Sequence, residues 1–196
     1  EREDQVEWDP VARRVTARRR TRLGALVLRE EAIREPDPQS VLAALLAGIR
    51  AEGLEALPWS KAARRLQHRV AFMRRFDPAF PEVSDDALLQ NLEAWLGPHL
   101  YGKTAIADLD GLDLAGVLEG MLTWGQRREL DEAAPSHFTA PSGARLPIDY
   151  SDPLAPSVSV RLQEVFGMAE TPRICHGRVP LRLFLLSPAL RPVQVT

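Results

Sequence analysis

The chain is short of several things, and each shortage excludes something. It has one cysteine in 196 residues, Cys175, so no disulfide can close within it. A reducing compartment is compatible with that, and a cytoplasmic location is the expectation. No apolar run approaches the ~18 residues that a membrane span needs, so no membrane partner is expected. The four histidines, His68, His99, His137 and His176, are dispersed. Cys175-His176 lacks a second ligand pair, so no zinc site is expected. A Cys175 nucleophile would need a base placed by the fold, and adjacency alone does not supply one. Lysine is almost missing too: only Lys61 and Lys103 occur among 25 cationic residues, which leaves 23 arginines.

What is present is an ordinary globular composition, 45% hydrophobic and 27% charged. The length suits one domain or two small ones. The net charge of -2 excludes a generally basic nucleic-acid binder. Arginine richness fits phosphate or carboxylate recognition, and a GC-rich genome explains the same bias. The chain opens on EREDQVEWD and closes on RPVQVT, which reads as a piece of something larger.

Gln5 to Trp8 and Arg13 to Arg22 read as strands joined at Asp9-Pro10. Alternation puts Val15 and Ala17 on one face and Arg14, Thr16, Arg18, Arg20 and Arg22 on the other. Such a row is either a phosphate-binding surface or a solvated edge paired with Glu30, Glu31 or Glu35. Leu23 to Leu28 continues as a strand with Gly24 as a bulge or bend. The first ~33 residues thus predict the end of a small barrel or sheet.

The period then becomes helical. Asp37 caps a first helix and Gly53 ends it. Ser60 caps a second, with Ala62, Leu66, Val70, Met73 and Phe76 predicted inward and Arg64, Arg65, Arg69, Arg74 and Arg75 outward. That outer face is a second candidate phosphate surface or a solvated face. Ser84 caps a third helix, with Leu88, Leu92, Trp95 and Leu96 inward. Asp113 caps a fourth, which ends at Gly125. Short connections predict antiparallel neighbours, hence a bundle of about four helices. From His137 strands return: a type I turn at Ala140-Pro141-Ser142-Gly143, a short helix from Ser157 to Phe166, and strands at Val179 to Leu186 and Pro192 to Val195, with a turn at Ser187-Pro188. The four tryptophans, Trp8, Trp59, Trp95 and Trp124, are expected in the core or an interface.

Gly97-Pro98-His99-Leu100-Tyr101-Gly102-Lys103-Thr104 formally matches the phosphate-loop pattern. That loop needs a buried strand before it and a helix directly after it. Here a helix precedes it and Asp110-Gly111 follows too soon for a helix. Gly97, Gly102, Lys103 and Thr104 therefore read as a chance match, not a cofactor site. Asp108-Leu109-Asp110-Gly111 with Glu119 mimics part of a calcium loop, but Leu112 stands where a ligand is needed and Asp113 replaces the turn glycine. No catalytic and no metal-binding residue is expected.

The order of VEWD (6–9), RRTRLGALVL (19–28), AGIRAEGLEALPW (47–59), WLGPHLYG (95–102), LTWGQRRELDEAAPSHFTAPSGARLPIDY (122–150), VRLQEVFG (160–167) and TPRICHGRVPLRLFLLSPALRPVQVT (171–196) is more specific. It resembles the C-terminal region of HrpB-type ATP-dependent helicases, bacterial relatives of the DEAH-box RNA helicases. The resemblance implies that ATP and magnesium belong to an upstream RecA-like core, and that none of the family's phosphate-loop, DEAH-type or arginine-finger motifs lies here. It also implies that the first strands are the tail of an oligonucleotide-binding (OB)-like barrel. Past RPVQVT the family continues into a short basic tail, so the last strand, ending at Thr196, is expected to leave an edge that the intact protein covers.

The expectation is an α+β chain: the end of an OB-like β region at 1–35, a helical bundle at 36–133, and a β-rich region with one short helix at 134–196. Its expected function is that of a non-catalytic accessory region of a helicase. The expected partners are the parent core and single-stranded RNA or DNA, with Arg14, Arg18, Arg20 and Arg22 as nucleic-acid contacts. The alternative is a docking module that touches no nucleic acid.

Overall fold

The computed structural model describes residues 2–23 and 25–187, and the backbone of 192–195. Gly24, Pro188 and Thr196, on which the expected bulge, loop and strand edge partly rest, lie outside the described residues. Three strands come first: β1 (Arg2–Asp9), β2 (Arg14–Leu23) and β3 (Leu26–Ala32). The helices follow: α1 (Pro38–Glu52), α2 (Lys61–Arg74), α3 (Asp85–Gln90), α4 (Leu92–Trp95), α5 (Leu114–Gly120) and α6 (Trp124–Ala133). Short strands close the chain: β4 (His137–Thr139), β5 (Arg145–Pro147), β6 (Ser157–Arg161), β7 (Arg173–Ile174), β8 (Val179–Pro180), β9 (Arg182–Leu186) and β10 (Pro192–Val195). The chain is of the α+β class, and it forms two compact units, each discontinuous in sequence.

The first unit takes residues up to Trp59 and Asp85–Val117. Its sheet is an antiparallel meander in the order β1-β2-β3. Asp9 makes the β1–β2 turn, its Oδ1 accepting from the amides of Val11 and Ala12 at 2.9 and 3.0 Å. These bonds favour the ionised carboxyl and hold it below its ordinary range. Alternation puts Val6, Trp8, Val15 and Ala17 on one face, and Val15 is buried. Asp37 caps α1 from the Ser40 amide at 2.9 Å, and Leu45, Leu46 and Ile49 form its buried stripe. The third predicted helix is two: α3 stops at Gln90 and α4 restarts after Asn91, whose side-chain amide donates to Ala87 O at 2.9 Å. Leu88, Leu92, Trp95 and Leu96 are all buried, and Trp95 Nε1 donates to Leu88 O at 2.9 Å.

The second unit takes Ser60–Ser84 and the chain from Leu118 onward. Ser60 caps α2 as read, from the Ala63 amide at 3.1 Å. The buried face is rotated from the predicted one. Ala63, Gln67, Val70, Phe72 and Met73 are buried, whereas Ala62 is exposed and Leu66 half-buried. Gln67 explains this, because its amide is satisfied inside: Nε2 donates to Val83 O at 2.8 Å and Oε1 accepts from Arg64 at 3.0 Å. Arg69 leaves the predicted outer row. Its guanidinium donates to Ala134 O at 2.7 Å, Leu130 O at 3.2 Å and Asp131 at 2.9 Å, and so closes the end of α6.

Three further expectations are corrected. Gly125 ends no helix, because it lies in α6, which the sequence reading did not predict. Thr123 and Gln126 start α6 with a reciprocal capping box at 3.2 and 2.9 Å. Ser157–Arg161 is a strand rather than part of a helix, parallel to β9 with Val158 opposite Leu183 and Val160 opposite Leu185. Two β-branched valines, both buried on one face, favour that extended form over the helical spacing of Leu162, Val165 and Phe166, which form a 3-10 turn at Leu162–Val165 and the residue after it. Val179–Leu186 is two strands: Leu181 between them is buried, and its amide donates to Pro172 O at 2.8 Å. The hairpin β4–β5 has the expected turn, with Gly143 N donating to Ala140 O at 2.8 Å.

Candidate nucleic-acid interface

The arginine row of β2 forms as the alternation requires, but the neighbouring strands supply its counter-charges. Arg20 stands directly opposite Glu30, and Arg18 lies on the diagonal. One carboxylate serves both, at 2.9 Å from Arg20 and 2.7 Å from Arg18. Those bonds hold Glu30 below its ordinary range, Arg20 contributing most. Arg22 faces Glu3 at 3.7 Å. On the other face Arg19 grips Asp4 with two bonds of 2.6 and 2.7 Å and depresses its pKa. Exposed pairs of this kind add little stability, yet they weaken the field that a phosphate would feel, although Arg18 and Arg20 share a single carboxylate. Arg14 is the exception in the row: it is exposed and makes no ion pair with another described residue.

A different set of basic side chains stands on α2. Lys61, Arg64, Arg65 and His68 recur at helical spacing, so they share one face. They form one wall of a groove of about 460 Å³. The other wall comes from the sheet elements of the same unit: Asp149 and Tyr150 after β5, Ser157 and Ser159 of β6, and Phe184 of β9. Ser159 stands directly opposite Phe184 in the parallel ladder, so hydroxyl and ring share a sheet face. Arg182, opposite Ser157, belongs to that face as well. Arg64 is oriented by Gln67. Lys61, Arg65 and His68 make no ion pair among the described residues. The groove thus combines available cations, an aromatic ring and hydroxyls, the parts with which proteins hold a nucleic-acid strand.

The sequence reading identified the arginines of α2 but not the opposite wall. Asp149, Ser157, Ser159 and Phe184 come together only through the parallel pairing of β6 with β9 and the Asp149–Ser157 bridge.

The phosphate-loop look-alike is arranged differently from a phosphate cradle. Gly97–His99 is a 3-10 turn. The Leu100 amide donates to Gly97 O at 3.0 Å and the Lys103 amide to Leu100 O at 3.0 Å. The amides of Thr104 and Ala105 donate to the Asp108 carboxylate at 2.9 and 3.0 Å, which lowers its pKa. These amides are engaged within the loop. Among the described residues no group of three His, Cys, Asp or Glu side chains is placed to hold a metal ion.

Cys175 is buried, and burial pushes its thiol pKa up. It sits with His176 and Gly177 in a left-handed turn, at φ 53, 54 and 80°. His176 pairs with Glu129 at 2.9 Å. Trp95 is in the core as expected, whereas Trp124 is 71% exposed and lies under the guanidinium of Arg128, 4.9 Å from the ring centroid.

Comparison with known proteins matches residues 95–196 to the family described as ATP-dependent helicase C-terminal, and residues 1–33 to the connector region of ATP-dependent RNA helicase HrpB. The chain is 40% identical over 98% of its length to the ATP-dependent RNA helicase HrpB of Escherichia coli K12. It covers 24% of that relative, about a quarter of its length. The crystal structure titled E. coli DExH-box NTPase HrpB is similar over 100% of this chain and 24% of that one, with TM-score 0.80 and 40% identity. A second, titled Escherichia coli DEAH/RHA helicase HrpB, has TM-score 0.75 and 38% identity over 99% of this chain and 25% of that one.

Proposed function

This chain belongs to the HrpB family of ATP-dependent helicases as part of its C-terminal region, and from that premise we propose that it is a non-catalytic accessory region that helps position a single strand of nucleic acid. The observation that carries the reading is the α2 wall of the groove, where Lys61, Arg65 and His68 stand without carboxylate partners among the described residues. Contacts from this wall go to phosphates, so binding is tolerant of sequence and sensitive to salt. The β2 row is a secondary surface. Arg14 is its most available member, and Arg18, Arg20 and Arg22 act only when released from Glu30 and Glu3.

In the intact protein ATP and magnesium belong to the core outside this chain, and that core is its partner in the cytoplasm. We read β1–β3 as the end of an OB-like barrel, the helices as an antiparallel bundle, and 1–35, 36–133 and 134–196 as the segments. A docking role beside the nucleic-acid role is favoured by one observation. All of β3 is exposed, with Leu26 and Leu28 at 68% and 62%, so a partner strand would gain both an edge and apolar area.

The test is a titration of labelled single-stranded RNA at several salt concentrations. Each phosphate contact contributes ~0.7 to the log–log salt slope of a single strand. The double change Lys61→Ala with Arg65→Ala should therefore lower the slope by about 1.4. An unchanged slope and affinity would remove the groove from the account.

A further inference from the structure

The groove contains one group that phosphate binding does not explain. Asp149 lines it opposite the cations of α2, yet makes no ion pair with any of them. Its backbone is fixed by two bonds to Ser157, Asp149 N to Ser157 O at 2.8 Å and Ser157 N to Asp149 O at 2.9 Å. Its side chain is fixed as well: Oδ1 accepts from the Ser151 amide at 2.8 Å. No described residue donates to Oδ2. A carboxylate held in place near a phosphate site repels the phosphate. Its presence is compatible with strand binding when the ligand puts its phosphate on the α2 side and a hydrogen-bond donor on the Asp149 side.

We propose that Asp149 is a specificity-determining residue of this groove, accepting a hydrogen bond from the ribose 2′-hydroxyl and so favouring RNA over DNA. The inference rests on the groove being the strand-binding surface. A nucleotide unit within a strand offers a phosphate, a sugar and a base, and the groove offers three matching features. The Lys61–Arg65 wall takes the phosphate, and Phe184 presents a ring to the base. Asp149, with the hydroxyls of Ser157 and Ser159 beside it, meets the sugar. Within a strand only RNA carries a free sugar hydroxyl, and that group is what lets a site distinguish the two polymers. A carboxylate accepts strongly from such a hydroxyl and gains nothing from a deoxyribose.

Fluorescence anisotropy with labelled oligouridine, oligodeoxyuridine and 2′-O-methyl oligouridine tests this, because all three carry the same hydrogen-bonding edge. The 196-residue chain should bind oligouridine about tenfold more tightly than the other two, the worth of one charge-assisted hydrogen bond. Asp149→Ala should bring the ratio close to one, weakening RNA binding and leaving DNA binding unchanged or tighter. Asp149→Asn, which keeps the shape and an acceptor for Ser151, should lose the preference too and serves if the alanine variant does not fold. An RNA-to-DNA ratio that is the same in wild type and either variant overturns the inference. If Lys61→Glu with Arg65→Glu abolishes binding of all three oligomers while the ratio ignores Asp149, the proposed function stands and the inference falls. If the wild-type chain binds none of them, both fall.

Discussion

Trp8 lies flat against Gly48, so that a Cβ added to Gly48 would come within 2.2 Å of Trp8 Cδ2 and 2.5 Å of Cε2. This contact seats the β1–β2 face on α1. It needs the glycine for its missing side chain rather than for a special backbone angle. Gly48→Ala should force the indole out of its place and cost about 1–3 kcal/mol, the usual penalty for overpacking. Urea denaturation of the variant checks this, and a midpoint equal to wild type would mean that the ring moves freely.

Arg69 should be among the most sensitive charged positions in its unit. Its side chain is 13% exposed and holds two carbonyls at the end of α6 as well as Asp131. Arg69→Ala takes the donor from Ala134 O, while Leu130 O keeps the Ala134 amide at 3.0 Å, and should cost about 1–3 kcal/mol. Arg69→Lys should recover less than half of the loss, because a point ammonium does not match a fork that reaches Nε and Nη2 acceptors together. Thermal unfolding followed by circular dichroism would rank the three proteins.

The β-sheet carboxylates give the first unit an acid limit. Asp4 and Glu30 are depressed from ordinary values of 3.8 and 4.5, chiefly by hydrogen bonds from Arg19 and from Arg20 with Arg18. A depressed carboxylate stabilises the fold above its unfolded pKa and stops doing so as pH falls through its folded value. Stability should therefore be flat between about pH 5 and 7 and decline below about pH 4. Glu30→Gln should flatten that decline. The same change releases Arg18 and Arg20, so it should raise RNA affinity at low salt by about two- to fivefold if the β2 row is a secondary contact. No gain would restrict binding to the groove.

Lys103 should have no role in nucleotide binding. Equilibrium dialysis with ATP and magnesium should show no uptake that depends on it, since the Thr104 and Ala105 amides already serve Asp108. Clear binding abolished by Lys103→Ala would contradict this. Asp108→Ala, by removing that acceptor, should loosen the loop at a cost of about 1 kcal/mol.

Local signals carried the sequence reading well. Asp37 and Ser60 cap the helices they were expected to cap, and the Val15–Ala17 alternation orients β2 correctly. The failures arise where a local signal competes with packing. Gln67 looks like a surface residue, and its bond to Val83 O, sixteen positions on, is the long-range partner that lets its amide be buried. Val158 and Val160 carry a strand pattern overlapped by a helical one, and the long-range partner β9 decides between them. The capping box at Thr123 and Gln126 was readable, but the glycine at 125 obscured it. The candidate groove was half legible. Its cations follow helical spacing, whereas Ser159 and Phe184 meet through a parallel pairing, and Asp149 joins them through an antiparallel bridge to Ser157, neither of which a local pattern encodes.

The strand-holding role proposed for the α2 face rests on Lys61 and Arg65. Its most direct test is the affinity of labelled single-stranded RNA for the chain at low salt, with and without the paired reversals Lys61→Glu and Arg65→Glu. The wild-type chain should bind, and the variant should lose affinity by at least about tenfold. Equal affinities in the two proteins, or none in the wild type, would contradict it.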